Sequence, residues 1–168
     1  MRVEVEATRI EGGVLAELYE RHASEALRLA YLLCGDAALA EDLVQDAFVR
    51  LAGRLLHVRN PGGFHAYLRT TIVNLTRSHF RRRAIERRFI ERHSEPRPVD
   101  APDHSDRDRM QRALMELPIR QRTAVVLRYF EDLSEAQTAD LMHCRTAAAK
   151  SLVSRGITTL RSTLGEER

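Results

Sequence analysis

The stretch that most restricts how this chain can fold is its least foldable one. Residues 91–107, ERHSEPRPVDAPDHSDR, carry three prolines, no aromatic residue and almost no apolar bulk. Proline locks φ and removes a backbone donor, and a segment this polar cannot bury enough surface to offset its ordering entropy. Neither a helix nor a strand is expected to run through it. A chain of 168 residues permits one ordinary domain or two small ones. The break selects the second option: an all-α protein with small helical domains at 14–90 and 108–164, joined by a flexible linker at 91–107. That linker is the expected first site of proteolytic cutting.

Both flanks have helical periodicity, and nowhere does alternation persist long enough to argue for a sheet. In residues 14–34 the row Leu15, Leu18, Tyr19, Ala26, Leu29, Ala30 and Leu33 predicts a first helix, which Gly35 ends. Asp36 is placed to cap the next one. That second helix puts Leu39, Leu43, Ala47, Leu51 and Leu55 in one row, with Val44 and Phe48 beside it. Its other side carries Glu41, Asp42, Gln45 and Asp46. Pro61 and the Gly62-Gly63 pair mark a loop, HVRNPGG. A third helix, from about 64 to 88, begins apolar (FHAYLRTTIVNL) and turns strongly basic (RSHFRRRAIERR). Beyond the linker, one helix starts near Asp106 and closes near Pro118, and IRQRTAVVLRYFED is the next.

Charge limits the partners. Charged residues make up 30% of the chain and the formal net charge is +3, yet the sequence pI is about 9.2. Lys150 is the only lysine, so the basic side is almost all arginine. Codon bias in a GC-rich genome explains that, and so does phosphate binding by guanidinium groups; composition leaves both open. Cys34 and Cys144 form no CxxC pair, and neither has neighbours at zinc-ligand spacing, so no metal or other cofactor is expected. No signal peptide is visible, and the longest apolar run, around residues 29–34, is far too short to span a bilayer. A reducing cytoplasm is the default, with no membrane partner. No nucleophile–base pairing or phosphate loop argues for an enzyme or a small-molecule substrate.

Residues 133–161 present the sharpest motif. Ser134 followed by Gln137 is a capping-box pattern, predicting a helix from Glu135 to about Met142. His143, Cys144 and Arg145 have the right length for a tight turn. The following helix, from Thr146, has the apolar row Ala149, Val153, Gly156, Leu160 and Leu164, which should face the core. Ala148, Ser151, Leu152 and Arg155 then face out, where the second helix of a helix-turn-helix enters the major groove. On geometry alone, a DNA reader and an ordinary helical hairpin both remain open.

The order of these segments resembles a known family. ALMELPIRQRTAVVLRYFEDLSEAQTADLMHC followed by KSLVSRGITTLR is similar to the C-terminal promoter-binding domain of extracytoplasmic-function sigma factors. LYERHASEALRLAYLLCGDAALAEDLVQDAFVRL is similar to their N-terminal domain. AYLRTTIVNLTRSHFRRR resembles an actinobacterial branch. The likeness covers residues 14–164. It implies a dissociable subunit that brings core RNA polymerase to promoter DNA, commonly restrained by an anti-sigma factor. It assigns the polymerase clamp contact to Glu41, Asp42, Gln45 and Asp46, where carboxylates at helical spacing suit arginines on a partner coiled coil. It assigns the −10 element to Arg59, Asn60, Asn74, Arg77 and Ser78, with Arg81, Arg82 and Arg83 on phosphates. It assigns the −35 element to the last helix, through Ala148, Lys150, Ser151, Leu152 and Arg155.

The chain departs from the family pattern at several positions. Ala52 stands where many members have Trp, His143 where the turn usually has Gly, and Arg145 where a small polar cap is usual. Ala147, Ala148 and Ala149 replace a common Gly-Thr-Val run, and Leu152 replaces a polar groove residue. Ala and Leu cannot donate a hydrogen bond and can touch only a thymine methyl. The expectation is therefore phosphate docking with shallow sequence preference, Ala148 and Leu152 facing the groove one turn apart. Two rival readings follow: a stand-alone helix-turn-helix regulator, and a degenerate sigma homologue with weakened promoter readout.

Overall fold

The computed structural model describes the backbone of residues 2–52, 63–90 and 106–165, and the side chains of 13–52, 63–89 and 107–165. Leu55, Arg59, Asn60 and residues 91–105 of the expected linker lie outside the described residues. Among the described residues every regular element is an α-helix: α1 Arg2–Cys34, α2 Ala37–Ala52, α3 Phe64–Ile90, α4 Asp106–Glu116, α5 Ile119–Tyr129, α6 Glu135–Leu141 and α7 Thr146–Gly165. The chain packs as two compact units, residues 1–75 and 76–168, so the division falls within α3.

In the first unit, α1 ends as its sequence predicts. Gly35 sits in the left-handed region, at φ 74°, and its N–H reaches the Tyr31 carbonyl at 2.8 Å. Two residues later the Leu39 N–H donates to Asp36 Oδ1 at 2.9 Å, capping α2. The two helices pack through Leu18, Ala26, Leu29, Ala30 and Leu33 of α1 and Ala40, Leu43, Val44, Ala47, Phe48 and Leu51 of α2, all buried. Tyr19, expected inside, is half in water, but its ring rests on Phe48 with centroids 4.9 Å apart. The start of α3 closes this core with Phe64, Leu68, Ile72 and Val73. The Phe64 ring lies 5.8 Å from Phe48 and 5.6 Å from His22. Burying one such phenyl ring stabilises by about 1.5–3 kcal/mol. From Arg81 to Phe89 every side chain of α3 is exposed, so the helix changes from core element to solvated basic rod along its length.

In the second unit α5 is buried on all sides, at every position of residues 122–127. One of these is an arginine. Arg122 Nε donates to the Leu114 carbonyl at 2.8 Å, and Nη2 donates to Met115 and Leu117 carbonyls at 2.9 and 3.0 Å. These carbonyls lie at the end of α4 and just beyond it; the Leu114 carbonyl also accepts the Leu117 N–H at 3.1 Å, and one guanidinium closes the helix. Arg109 Nη2 reaches the Leu164 carbonyl at 2.6 Å, and Thr163 Oγ1 donates to Glu116 Oε2 at 2.9 Å, tying α4 to the end of α7. The capping box of α6 forms in both directions: Gln137 N–H to Ser134 Oγ at 3.1 Å, and Ser134 N–H to Gln137 Oε1 at 2.8 Å. His143 turns the chain into α7 with φ 52°, the left-handed conformation for which glycine is usual. Gly156 lets α7 approach α5: a Cβ there would lie 2.6 Å from Val125 Cγ2.

Candidate partner and nucleic-acid interfaces

The amphipathic pattern of α2 leaves Glu41, Asp42, Gln45 and Asp46 exposed together, opposite its buried row. Asp46 Oδ2 stands 4.0 Å from Arg50 Nη2, a loose i,i+4 pair that leaves the carboxylate accessible. One turn beyond Gln45 stands Val49, 72% exposed, an apolar side chain on the polar face. Sequence reasoning passed over it, although an apolar residue four positions after a polar-face residue was the signal. Carboxylates beside an exposed apolar side chain suit a basic protein surface better than nucleic acid.

On α3, Asn74, Arg77, Ser78 and Arg81 fall on one stripe by their spacing. Asn74 and Arg77 are half-buried, while Ser78 and Arg81 are exposed, with Arg82 and Arg83 exposed beside them. An amide, a hydroxyl and guanidinium groups along one line can satisfy base edges and a phosphate backbone together.

The helix-turn-helix requires one correction. Ala147, Ala148, Lys150, Ser151, Ser154 and Arg155 are exposed on α7, but Leu152 is buried, at 9% exposure. It does not face the groove. The apolar stripe of α7 is wider than a single row: Ala149, Leu152, Gly156 and Leu160 are its buried members, and Val153 is half-buried on its other flank. Leu152 lies only about 60° around the helix from Ala149, within the width of a core-facing stripe. The thymine preference assigned to Leu152 falls with this. Arg155 Nε donates to the Ser151 carbonyl at 3.3 Å, which steadies the side chain at the exposed face. The thiol of Cys34 donates to the Asp36 carbonyl at 3.2 Å, and Cys144 sits in the turn between α6 and α7.

Burial, and then the neighbouring His65, lower the pKa of His22 from its usual 6.5; Glu25 opposes the shift and does not reverse it.

An exposed acidic helix face, a polar-basic stripe and a helix-turn-helix in one helical chain are the parts of a DNA-binding regulatory factor. Comparison with known proteins narrows this. Residues 18–85 match the Sigma-70 region 2 family and residues 107–160 the Sigma-70, region 4 family. The chain is 33% identical over 150 residues to the RNA polymerase sigma-E factor of Streptomyces coelicolor, covering 88% of this chain and 85% of that protein. It is 32% identical over 158 residues to the ECF RNA polymerase sigma factor SigE of Mycolicibacterium smegmatis, covering 89% of this chain and 61% of that one. The sigma factor RpoE, in its co-crystal structure with the anti-sigma factor NepR from Bartonella quintana, shares the fold. Its TM-score is 0.73 at 24% identity, over 91% of this chain and 98% of that chain. The chain belongs to the extracytoplasmic-function RNA polymerase sigma factors. It is a dissociable sigma subunit that directs promoter-specific initiation of transcription. Among the described residues no helix is long and apolar enough to cross a membrane.

Proposed function

We propose that this sigma factor docks on core RNA polymerase through the acidic face of α2, Glu41, Asp42, Gln45 and Asp46, with Val49 at its C-terminal end. The melted −10 element is held along Asn74, Arg77, Ser78 and Arg81, with Arg59 and Asn60 joining from the preceding sequence. The −35 element meets α7 through Ala148, Lys150, Ser151 and Arg155. The protein acts in the cytoplasm, where polymerase works, and catalyses no reaction of its own. It comprises an N-terminal domain at 14–90 and a C-terminal domain at 108–164, joined at 91–107. An anti-sigma protein restrains it, as NepR is bound to RpoE in the Bartonella quintana complex.

The observation that carries this reading is the clean partition of α2. Six apolar side chains are buried on one side, and every carboxylate between Glu41 and Asp46 is exposed on the other. Run-off transcription with core polymerase is the test. Reversing Asp42 and Asp46 to arginine should abolish transcription and core binding while changing stability by less than about 0.5 kcal/mol. Unchanged affinity for core enzyme would remove α2 from the interface. Because Ala147 and Ala148 offer no donors, −35 recognition rests on Ser151, Arg155 and phosphate contacts. A selection on random −35 sequences should return a shallow preference with strong salt dependence.

A further inference from the structure

His22 and Glu25 lie one turn apart on α1, and His65 is the second residue of α3. The fold brings the three together. His65 Nε2 stands 3.2 Å from Glu25 Oε2. The His22 and His65 rings stack with centroids 5.4 Å apart and planes 19° from parallel. One donor atom from each of the three residues lies within 4.8 Å of the other two. Nothing in the family reading uses these side chains, and their pairing joins residues forty apart in the sequence.

We propose that His22, Glu25 and His65 form a binding site for a divalent transition-metal ion of the zinc class. Two imidazoles and one carboxylate are a borderline donor set, which Zn²⁺, Co²⁺, Ni²⁺ and Cu²⁺ accept. Mg²⁺ and Ca²⁺ prefer all-oxygen cages. A tetrahedral zinc site sets its donor atoms roughly 3.3 Å apart, and the His65–Glu25 edge already has that length. The other two edges are at most 4.8 Å, and metal binding requires the His22 ring to turn so that they shorten. Three protein ligands leave a fourth position for water.

Arg69 works against the ion. Its Nη2 stands 3.5 Å from His65 Nδ1. A guanidinium only donates, so this contact keeps Nδ1 an acceptor and leaves the imidazole proton on Nε2, toward Glu25. For Nε2 to bind a metal, that proton must move to Nδ1 and Arg69 must let go. Its positive charge also opposes a dication.

The test is titration of the chelator-treated full-length protein with Co²⁺. Visible d–d absorption should grow to one equivalent and be displaced by Zn²⁺. Zn²⁺ should also raise the melting temperature by linking α1 to α3. Glu25 is an exposed side chain, so Glu25→Gln leaves packing intact. That variant should weaken binding by about tenfold or more, as should His65→Gln. Arg69→Gln should tighten it. Three outcomes overturn the proposal: no d–d spectrum at one equivalent, equal affinity in Glu25→Gln and His65→Gln, or a thiolate-to-cobalt charge-transfer band. The last would place the ion on Cys34 or Cys144.

Discussion

Placing a methyl group at Gly156 should weaken the second unit, although alanine is the better helix former. The Cβ would stand 2.6 Å from Val125 Cγ2 and 3.5 Å from the Gln121 carbonyl oxygen. Carbon atoms in contact prefer about 3.5–4.0 Å, so the overlap with Val125 is roughly 1 Å. Val125 cannot swing aside: it is 1% exposed, and a β-branched side chain in a helix keeps one rotamer. Overpacking of this kind costs about 1–3 kcal/mol, and the upper part of that range applies where the neighbour is rigid. Exchanging glycine for alanine inside a helix returns about 0.8–1.0 kcal/mol. The net loss for Gly156→Ala is therefore about 1–2 kcal/mol, a fall of about 4–16 °C in melting temperature for a small domain. Denaturant titration of the full chain, followed by circular dichroism, measures it. Val125→Ala alone should cost about 2 kcal/mol through the cavity it leaves. The two substitutions together should cost less than their sum by about 1 kcal/mol, because the new methyl fills that cavity. A neutral or stabilising Gly156→Ala, or strict additivity in the cycle, would refute the close approach of α7 to α5.

Leu152→Arg should lower the melting temperature through a loss of about 2–4 kcal/mol, because the charge enters the core face of α7. An unchanged melt with a new guanine preference would restore the groove-facing register. Arg122→Met should destabilise the second unit by about 3–5 kcal/mol, since it strips three hydrogen bonds from the end of α4. A loss under about 1 kcal/mol in denaturant would show those carbonyls finding other partners. His143→Gly should stabilise by about 1 kcal/mol by relieving a left-handed backbone at a side chain that disfavours it; a loss would mean the imidazole holds the turn. The lowered pKa of His22 makes the unfolded chain the better proton acceptor. Its contribution is intact above about pH 6.5 and falls away as pH drops toward the folded value. His65, Glu25 and Arg21 face it, and in chelator His22→Gln should flatten the acid limb of stability against pH. An unchanged limb would place the titration elsewhere.

What could be read before the structure was mostly local. Gly35 and Asp36, Pro118, and the Ser134–Gln137 box each act within four residues, so they mark helix ends without knowledge of the fold. The acidic face of α2 was legible for the same reason, since its periodicity is a property of one helix. Leu152 turns inward although a row one residue wide on α7 leaves it outside, because the true width of that stripe depends on how α5 and α6 surround it. Nor did anything in the sequence of α1 announce that His22 and Glu25 would meet His65, because that encounter is made by the packing of Phe64 against Phe48. Arg122 was invisible as a structural residue. Among so many arginines, only its burial distinguishes it.

Lys150 is the sole lysine of the chain, and it stands exposed on α7. An amine-reactive reagent therefore has one side-chain target here, on the surface assigned to the promoter. A dye attached at that ammonium would report −35 docking with no engineered cysteine. Acetylation, by the same logic, could reach a lysine at one place only. It would remove one positive charge from α7 and leave every arginine untouched. Wherever lysine-directed chemistry meets this sigma factor, the signal converges on a single helix.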